Sequence, residues 1–545
     1  METFDYVIVG AGSAGCILAS RLSEDPAVSV CLLEAGGYDH NPFIHIPAGF
    51  MKTFYDASVN WKYEMEEGEW TGGRRIYAPR GKTLGGSSSI NGHVYNRGQR
   101  LDFDTWAQFG NRGWGYADVL PYFRRTENRI GSGDDKFRGR EGNVNVTSLE
   151  DEWRHPLCDA FIEGCVQNGI PRNPDYNGGV QEGVSYVQRT TYKGRRVSTS
   201  TAYLRPAMNR KNLHVITKAH ATGVVLDGKR VTGIRFSHGG RNGTEKQVHA
   251  RREVILSGGS YNSPQLLQLS GIGPSDVLNA HGIAVRHHLA GVGENLRDHY
   301  APRLVARVKN IGTINEQTRG LRVIWEAAKW AFTKKGILSL NPTLVYCFWH
   351  SGEAAETSDI QMTFTPASYN EGVQGELERE PGMTVAAWQQ RPESKGYVRI
   401  RSASPFEQPA IQPNYLHEEH DRRVLLAAMK LARKLLGSDP LKPYYDREDI
   451  PGPRVQTDDE LLAVAKQRGT TTFHPMGTCK MGPSSDPLAV VDDQLRVHGL
   501  QGLRVIDASV MPTMLSANLN AATMMIGEKG SDMVRGREPL ASITV

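Results

Sequence analysis

The chain has 545 residues, of which 39% are hydrophobic and 23% charged, so it exceeds the size of one ordinary core and is predicted to fold throughout. Its 64 basic and 59 acidic residues are mixed along the sequence and leave a formal net charge of +5, which does not indicate a nucleic-acid-binding protein. Six dispersed cysteines without a Cys-x-x-Cys pair predict neither a zinc site nor a disulfide framework.

Two basic pairs, Arg195-Arg196 and Arg251-Arg252, are interpreted as solvated surface or strand flanks, because no aromatic residues alternate with them. The first residues carry acids where a signal peptide begins with basic residues, so no export signal is predicted. No segment reaches the roughly 18 uninterrupted apolar residues of a transmembrane helix. We therefore expect a cytoplasmic protein with at most a peripheral membrane association.

The chain begins with a predicted βαβ unit. Tyr6-Val7-Ile8-Val9 is short, β-branched and ends at Gly10, as expected of a strand that is buried on both faces of a parallel sheet. Apolar positions recur at helical spacing from Ala14 to Leu22, and a second buried strand follows from Val28 to Leu33.

The turn of this unit matches the pattern G-x-G-x-x-G. Gly10 is assigned to the tight turn, Gly12 to close approach of a pyrophosphate, and Gly15 to close packing of the helix on the strand. Amides at the helix start would hold the phosphates, and Glu34 would accept hydrogen bonds from the adenosine ribose. The motif alone does not distinguish FAD from NAD.

A second glycine-rich run lies between Gly81 and Gly92. Its glycines permit close backbone approach, its serine hydroxyls can contact phosphate, and Asn91 can bond to a heterocycle edge. A free linker is the alternative, but Ile90 and the flanking Tyr77 and Val94 make the run too apolar for one.

The remaining predicted elements fall into two groups with different sequence patterns. Glu253 to Ser257 predicts a strand that enters a glycine turn and a helix, Leu503 to Ile506 predicts another strand, and Ala521 to Met533 predicts a closing helix. Between about 305 and 465 we predict an antiparallel sheet with helices beside it, from strands at Thr343 to Trp349, Met383 to Trp388 and Gly396 to Arg401 and a helix from about Arg422 to Leu436.

Two long segments resemble the signatures of the glucose-methanol-choline (GMC) oxidoreductases, and the chain is most similar to the bacterial choline dehydrogenase and alcohol dehydrogenase group. Gly81 to Asp104 resembles the first signature and Gly259 to Gly273 the second, and the resemblance extends from Tyr6 to about Arg535. It implies an α/β, Rossmann-like FAD-binding domain of the glutathione-reductase type with an inserted α+β substrate domain.

The domain boundaries expected from this arrangement are as follows. The FAD-binding domain is discontinuous and takes residues 1–155, 198–305 and 468–537. The substrate domain, built on the antiparallel sheet flanked by helices, takes 156–197 and 306–467, and 538–545 form a C-terminal tail.

The resemblance implies FAD as the cofactor, with the loop from Gly85 to Asn91 along the flavin and its diphosphate. Ile90 stands where some members attach FAD through a histidine, so a noncovalent flavin is expected. Asp507 is assigned to the cofactor, and capping of a helix is the alternative. The motifs and the resemblance together give the candidate FAD-binding residues Gly10, Gly12, Ser13, Ala14, Gly15, Glu34, Ala35, Arg80, Leu84, Gly85, Gly86, Ser87, Asn91, Gly92, Val94, Ala221, Gly258, Asp507, Ala508, Asn520 and Thr523.

The segment from Phe473 to Gly482 resembles the active-site histidine motif of the family, and Asn518 corresponds to its second catalytic position. Oxidation of an alcohol removes a proton from oxygen and a hydride from carbon, so a base is needed. His474 is expected to accept the proton, Asn518 to donate a hydrogen bond to the developing oxyanion, and flavin N5 to receive the hydride. Cys479 is interpreted as a packing residue rather than half of a Cys-His nucleophile pair.

The expected substrate is a small-molecule alcohol, and no metal site is predicted. Choline is disfavoured, because no carboxylate and aromatic cage for its ammonium can be named. Phe348, Trp349 and Trp388 are interpreted as core rather than pocket. The electron acceptor (oxygen, a quinone or another carrier) and the oligomeric state stay open. Two alternative functions are a cyanohydrin-type lyase of the same fold and a nicotinamide-dependent dehydrogenase.

Overall fold

Two sheets organise the chain in the computed structural model, which describes residues 2–353, 356–370 and 376–545. The first sheet has the strand order Leu213–Ile216, Val30–Leu33, Glu2–Val9, Thr244–Leu256, Arg230–His238 and Ala219–Asp227, and Leu503–Val505 pairs with Thr244–Leu256 beyond this path. Its strands at 213–216, 30–33, 2–9, 244–256 and 503–505 pair in parallel. The two remaining strands pair antiparallel at one edge.

The parallel part of the first sheet is buried on both faces, because helices cover it. Val7, Ile8, Val30 and Leu32 are all fully buried, which explains why their strands have uninterrupted apolar sequences. Ser13–Leu22 packs on Glu2–Val9 and Val30–Leu33, Asn520–Arg535 packs on Ser13–Leu22, and Gly259–Leu269 packs on the edge strand Ala219–Asp227. The predicted Rossmann-like α/β fold is confirmed.

One strand of this sheet is much longer than the sequence indicated. Thr244–Leu256 begins nine residues before the predicted start at Glu253. Its first half pairs antiparallel with Arg230–His238 and carries exposed polar side chains, so it lacks the hydrophobic run that marks its second half.

The second sheet is antiparallel throughout and has six strands. Their order is Tyr445–Ile450, Arg303–Val308, Gly382–Gln389, Ile360–Thr365, Val345–Trp349 and Gly183–Tyr186. The amphipathic helix Glu419–Leu436 packs its apolar face on this sheet, and Pro156–Gln167 also contacts it. The predicted antiparallel sheet flanked by helices is confirmed.

The predicted strand from Gly396 to Arg401 belongs elsewhere. It forms Gly396–Arg399 in a separate three-stranded sheet with Glu294–Leu296 and Ala410–Gln412. The core around the second sheet also takes in Tyr63 and Met65 from the N-terminal segment. The domain boundaries given above stay a prediction.

The smaller elements connect and cover the two sheets. In the part of the chain that the structure describes, the remaining α-helices are Pro42–His45, Phe50–Thr53, Arg100–Gln108, Tyr116–Thr126, Arg205–Ala207, Ser275–Ala280, Ile314–Gln317, Gly320–Thr333 and Asp458–Arg468. Short paired strands are Tyr63–Glu64 with Tyr77–Ala78, Thr191–Tyr192 with Arg195–Arg196, Ile272–Gly273 with His287–His288, Tyr300–Ala301 with Thr470–Thr471, and Glu127–Arg129 with Val144–Ser148 and Gln188–Arg189. Within the described ranges, no helix is long and apolar enough to cross a membrane.

Candidate active site

A continuous cavity of about 410 Å³ extends from the carboxyl end of the first sheet to one face of the second. Both candidate catalytic residues, His474 and Asn518, line it. Of the candidate FAD-binding residues, those that line it are Gly10, Gly12, Ser13, Ala14, Glu34, Ala35, Arg80, Gly86, Ser87, Asn91, Gly92, Val94, Ala221, Gly258, Asp507, Ala508, Asn520 and Thr523. Gly15, Leu84 and Gly85 do not.

The first glycine turn leaves the start of the following helix open toward the cavity. Gly10 has a φ of +100°, and a Cβ atom there would lie 2.5 Å from the carbonyl oxygen of Ser257. A Cβ atom on Gly15 would lie 1.9 Å from the carbonyl oxygen of Gly10, so this glycine permits close packing of helix on turn. Gly12 caps the helix without a side-chain hydrogen bond, which leaves backbone donors for an anion.

The carboxylate of Glu34 lies at the end of the second strand of the βαβ unit and is buried. Its two oxygens accept hydrogen bonds from the backbone amides of Ala11, at 2.9 Å, and Gly36, at 2.8 Å. Burial raises the pKa of Glu34 to about 7, against these two hydrogen bonds. Each oxygen keeps a second lone pair for a hydroxyl donor such as a ribose.

The second glycine-rich run packs directly on the first. A Cβ atom on Gly86 would lie 2.7 Å from the Cα atom of Gly12, and the amide of Gly85 donates to the carbonyl oxygen of Ala11 at 2.8 Å. The amide of Leu84 donates to Gly37 at 3.1 Å. Gly85 therefore holds the two runs together, Leu84 holds the second run to the loop that follows Val30–Leu33, and neither lines the cavity.

The pair Arg195-Arg196 is not solvated as a whole, contrary to the expectation from the sequence. Arg195 is exposed, but Arg196 is buried. Its guanidinium donates to the carbonyl oxygen of Ile44 at 2.8 Å and to Oδ1 of Asn91 at 2.8 Å, and these bonds offset its burial. It thereby fixes the side chain of Asn91 at the cavity wall. Arg251 and Arg252 are exposed, as expected.

Asp507 lines the cavity, and its carboxylate is engaged by protein donors. One oxygen accepts from the backbone amide of Gly259 at 2.8 Å and from Oγ of Ser263 at 2.6 Å. The other accepts from the amide of Ser509 at 2.8 Å. The side chain thus caps the starts of Gly259–Leu269 and of the 3₁₀ turn Ala508–Val510, the role given above as the alternative.

His474 and Asn518 form a hydrogen-bonded pair in the cavity wall. The side-chain nitrogen Nδ2 of Asn518 donates to Nε2 of His474 at 2.9 Å. The hydroxyl of Tyr346 donates to Oδ1 of Asn518 at 2.9 Å, and this bond fixes which end of the amide faces the imidazole. The second hydrogen of the amide nitrogen stays available for a substrate oxygen.

A neighbouring histidine determines the tautomer of His474. Nε2 of His299 lies 2.6 Å from the carbonyl oxygen of Gln390, which can only accept, so this nitrogen carries a hydrogen. Burial lowers the pKa of His299 to about 4, so its ring is neutral and its Nδ1 accepts. Nδ1 of His474 therefore carries the hydrogen that points to Nδ1 of His299, at 2.9 Å, and to Oγ1 of Thr472, at 2.8 Å. The lone pair of His474 is thereby placed on Nε2.

The pKa of His474 is held well below its ordinary value, first by burial and then by His299 and Arg80. The backbone also positions the ring, because Oδ1 of Asp298 accepts from the amide of His474 at 2.7 Å and from that of His299 at 2.9 Å. Phe473, just before the histidine, has a φ of +69°. The ring is thus a neutral, oriented acceptor.

Several contributors to this site were not identified in the sequence. Tyr346 lies in a predicted strand, where its role depends on the strand register, and nothing in the sequence separates His299 from the other histidines. Among the aromatic residues interpreted as core, Trp388 lines the cavity, whereas Phe348 and Trp349 do not. Cys479 is buried and burial raises its pKa well above the usual value, so it does not supply a thiolate.

The chain is similar over its length to characterised flavoenzymes. The GMC oxidoreductase family matches residues 4–301 with its N-terminal part and 392–527 with its C-terminal part. Oxygen-dependent choline dehydrogenases from Staphylococcus saprophyticus and Cronobacter sakazakii are 41% and 42% identical, each covering 99% of this chain and 96% of the relative. The structure of pyridoxine 4-oxidase from Mesorbium loti has a TM-score of 0.88 at 30% identity and covers 98% of this chain and 100% of its own. Formate oxidase from Aspergillus oryzae has a TM-score of 0.89 at 26% identity, with 98% of both chains covered.

Proposed function

Since this chain belongs to the GMC oxidoreductase family, binds FAD and oxidises an alcohol at its CH–OH group, we propose that His474 is the base of the reaction and Asn518 the hydrogen-bond donor to the same oxygen. The observation that carries this proposal is the 2.9 Å contact between Nε2 of His474 and Nδ2 of Asn518 in the cavity wall. When a substrate hydroxyl displaces this hydrogen bond, the lone pair of Nε2 and the N–H group of Asn518 can bind the same hydroxyl group.

The described residues fit FAD at the other end of the cavity. Gly86 leaves no room for a side chain against Gly12, and the free amides of the first helix face an anion site. We assign the diphosphate to these amides and the adenosine ribose to Glu34. Ile90 lines the cavity and has no nucleophile, which supports a noncovalent cofactor. When bound, FAD supplies the acceptor for the hydrogen and electron pair that leave the substrate carbon.

Side chains of the protein accept the hydroxyl proton and stabilise the oxygen that loses it. Nε2 of His474 accepts the hydroxyl proton, while Nδ1–H continues to donate to Thr472 and His299. The amide of Asn518 donates to the oxygen as negative charge develops on it, and it does so without titrating. Tyr346 and Asp298 keep the two groups in place, and the hydrogen bond between His474 and Asn518 opens to admit the hydroxyl group.

Anaerobic titration tests this function. The purified protein is mixed with a panel of alcohols without oxygen, and we expect its flavin absorbance to bleach with the alcohol it oxidises. Readmission of air then tests oxygen as acceptor, which the name of the choline dehydrogenase relatives makes the first to examine. Product formed with the flavin continuously oxidised would favour the lyase, and a folded protein that lacks flavin and requires NAD would contradict the proposal.

We also propose that the chain associates peripherally with an anionic membrane surface through the helix Gly320–Thr333. Its apolar residues Leu321, Ile324, Trp325 and Phe332 share one face and are 83%, 64%, 69% and 90% exposed. An apolar face normally packs on the protein, and here it points away from it.

Contacts on the opposite face of this helix hold it to the protein. The indole of Trp330 donates to the carbonyl oxygen of Gly194 at 2.9 Å, and Glu326 accepts from the amide of Ile337 at 3.0 Å. Basic residues that surround the outer face are Arg322, Lys335, Lys193 and Arg195, all exposed. This charge complements anionic lipid and would repel a second copy. A face of one 14-residue helix, about 21 Å long, is also small against the roughly 800 Å² per partner of a stable interface.

Cosedimentation with vesicles tests the membrane proposal. We expect binding to vesicles that contain phosphatidylserine, with about a fivefold loss for each basic residue replaced by glutamine. The double variant Trp325→Ser, Phe332→Ser should lose binding, whereas Val180→Ser, which changes an exposed apolar residue elsewhere, should keep it. The proposal would be contradicted if the protein cosedimented equally with neutral vesicles, or if the double variant bound the phosphatidylserine vesicles as the parent does.

A further inference from the structure

One cation in the cavity wall has neither a hydrogen-bond partner nor an acidic partner among the described residues. Arg303 begins the strand Arg303–Val308 of the second sheet, and its side chain contributes to the cavity wall. Its guanidinium stands 5.2 Å from the ring centre of Tyr369 and makes neither a hydrogen bond nor an ion pair within the described ranges. Its pKa is lowered by burial, and the groups that oppose this are the phenols of Tyr369 and Tyr55.

Other arginines of this region are paired where they are enclosed. Arg307, four residues along the same strand, forms ion pairs with Glu378 and Asp449 at 2.6 Å each. Arg80, which also lines the cavity, donates to the carbonyl oxygen of Phe473 at 2.9 Å. A guanidinium carries five N–H donors, and leaving them unpaired away from bulk water is costly. The donors of Arg303 are therefore open to a ligand in the cavity.

The described lining of the cavity offers no free carboxylate for a cation. Among the described lining residues, the carboxylates are Glu34 and Asp507, which lie at the FAD end and already accept hydrogen bonds from the protein. A quaternary ammonium would thus meet Arg303 as a like charge and find no opposite charge among the described residues at that end.

We propose that the substrate is an alcohol that carries an anionic group, a carboxylate or a phosphate, and that Arg303 binds this group. The proposal rests on the alcohol oxidation proposed above and specifies its substrate class. Guanidinium binds both oxyanions through two parallel hydrogen bonds, so the shared chemistry is recognition of a planar or tetrahedral oxyanion.

The strand register places the anion site relative to the reacting oxygen. Arg303 pairs with Ala386, Ala386 with Thr363, and Thr363 with Tyr346, so the four residues form one row across the sheet, and all line the cavity. The row ends at Tyr346, whose hydroxyl holds Asn518. Three inter-strand steps separate the ends of the row, about 14 Å between α-carbons. The small Ala386 and Thr363 between them leave room for a substrate whose hydroxyl and anion are several bonds apart.

Arg303→Met provides the direct test, because it removes the charge and keeps much of the side-chain length. Anaerobic flavin reduction is measured with ω-hydroxy acids of four to eight carbons, with phosphate monoesters of diols, with neutral alcohols of the same lengths and with choline. We expect the parent to prefer one of the anionic series, and Arg303→Met to lower kcat/KM for it about 10- to 100-fold, as for a hydrogen bond to a charged group. Neutral alcohols should change less than threefold, and Arg75→Met, at an exposed site, should change neither.

A binding readout separates recognition from turnover and from misfolding. Hexanoate, which has no hydroxyl group, should inhibit the parent competitively and perturb its flavin spectrum, and Arg303→Met should lose both effects while keeping its FAD. Arg303→Lys should restore part of the affinity, because the charge returns without the bidentate geometry. The relative loss for carboxylate and phosphate substrates distinguishes the two oxyanions.

The outcomes distinguish the two proposals. If no alcohol, charged or neutral, bleaches the flavin of the parent, the alcohol oxidation itself fails. Two results would overturn the role of Arg303 as the anion site while the alcohol oxidation stands. In the first, kcat/KM for neutral alcohols or choline equals that for the anionic series. In the second, Arg303→Met lowers kcat/KM for all substrates by the same factor.

Discussion

Replacing His474 by alanine should slow the reduction of bound FAD by alcohol about 10²- to 10⁴-fold, the usual contribution of a general base, while FAD stays bound. The lone pair on Nε2 is lost, and no other neutral base among the described residues contacts Asn518 at that point. Stopped-flow measurement of anaerobic flavin bleaching gives the rate. Asn518→Ala should slow flavin reduction less than His474→Ala does, because the base remains.

The pH dependence provides a second signature of the same base. The pKa of His474 is held well below its ordinary value of 6.5, so the neutral form persists as the pH falls through the range in which a free imidazole takes up a proton. The parent rate should therefore decline only below the lowered pKa, and this acidic decline should be absent in His474→Ala. A matched change at an exposed histidine, His288→Ala, should leave rate and profile unchanged. Equal rates in parent and His474→Ala would show that another group is the base.

Replacing Gly15 by alanine should abolish most FAD binding. Alanine is the better helix former by about 1 kcal/mol, so helix propensity alone would favour the variant. However, its Cβ atom would lie 1.9 Å from the carbonyl oxygen of Gly10, and the helix would have to move away from the turn. The amides that face the diphosphate would move with it. We expect FAD content below about a tenth of the parent, measured by absorbance after gel filtration, and a lower melting temperature.

Gly37→Ala is the matched control for this substitution. Gly37 lies in the same region of the first sheet, but a Cβ atom there would meet no atom within 4 Å. Its FAD content and melting temperature should equal those of the parent. Full FAD occupancy in Gly15→Ala would contradict the packing role assigned to that glycine.

The sequence predicted those parts of the protein that depend on local patterns. The βαβ unit and its glycine turn follow from a short apolar strand, helical spacing and three glycines, and the resemblance to a family added His474 and Asn518. The residues that position His474 and Asn518, and those that line the rest of the cavity, could not be predicted in the same way. Tyr346 and Arg303 depend on the register of the second sheet, and His299 reaches His474 from a loop 175 residues away in the chain.

The positions of Arg196, Leu84 and Gly85 depend on hydrogen-bond partners that are distant in sequence. Arg196 is adjacent to an exposed arginine, and its burial becomes apparent only when Ile44 and Asn91 supply acceptors for it. Leu84 and Gly85 belong to a run that faces the cavity, yet their amides donate to the carbonyl oxygens of Gly37 and Ala11, and neither residue lines the cavity. In each case a hydrogen-bond partner distant in sequence decides the orientation.

The central claim is that His474 and Asn518 bind the hydroxyl oxygen of an alcohol together beside the flavin. A crystal structure of the FAD-bound protein with a slowly oxidised alcohol tests this most directly. We predict the hydroxyl oxygen within about 2.6–3.2 Å of both Nε2 of His474 and Nδ2 of Asn518, next to the isoalloxazine ring. An alcohol bound away from these two atoms, or a flavin ring outside the cavity that they line, would contradict it.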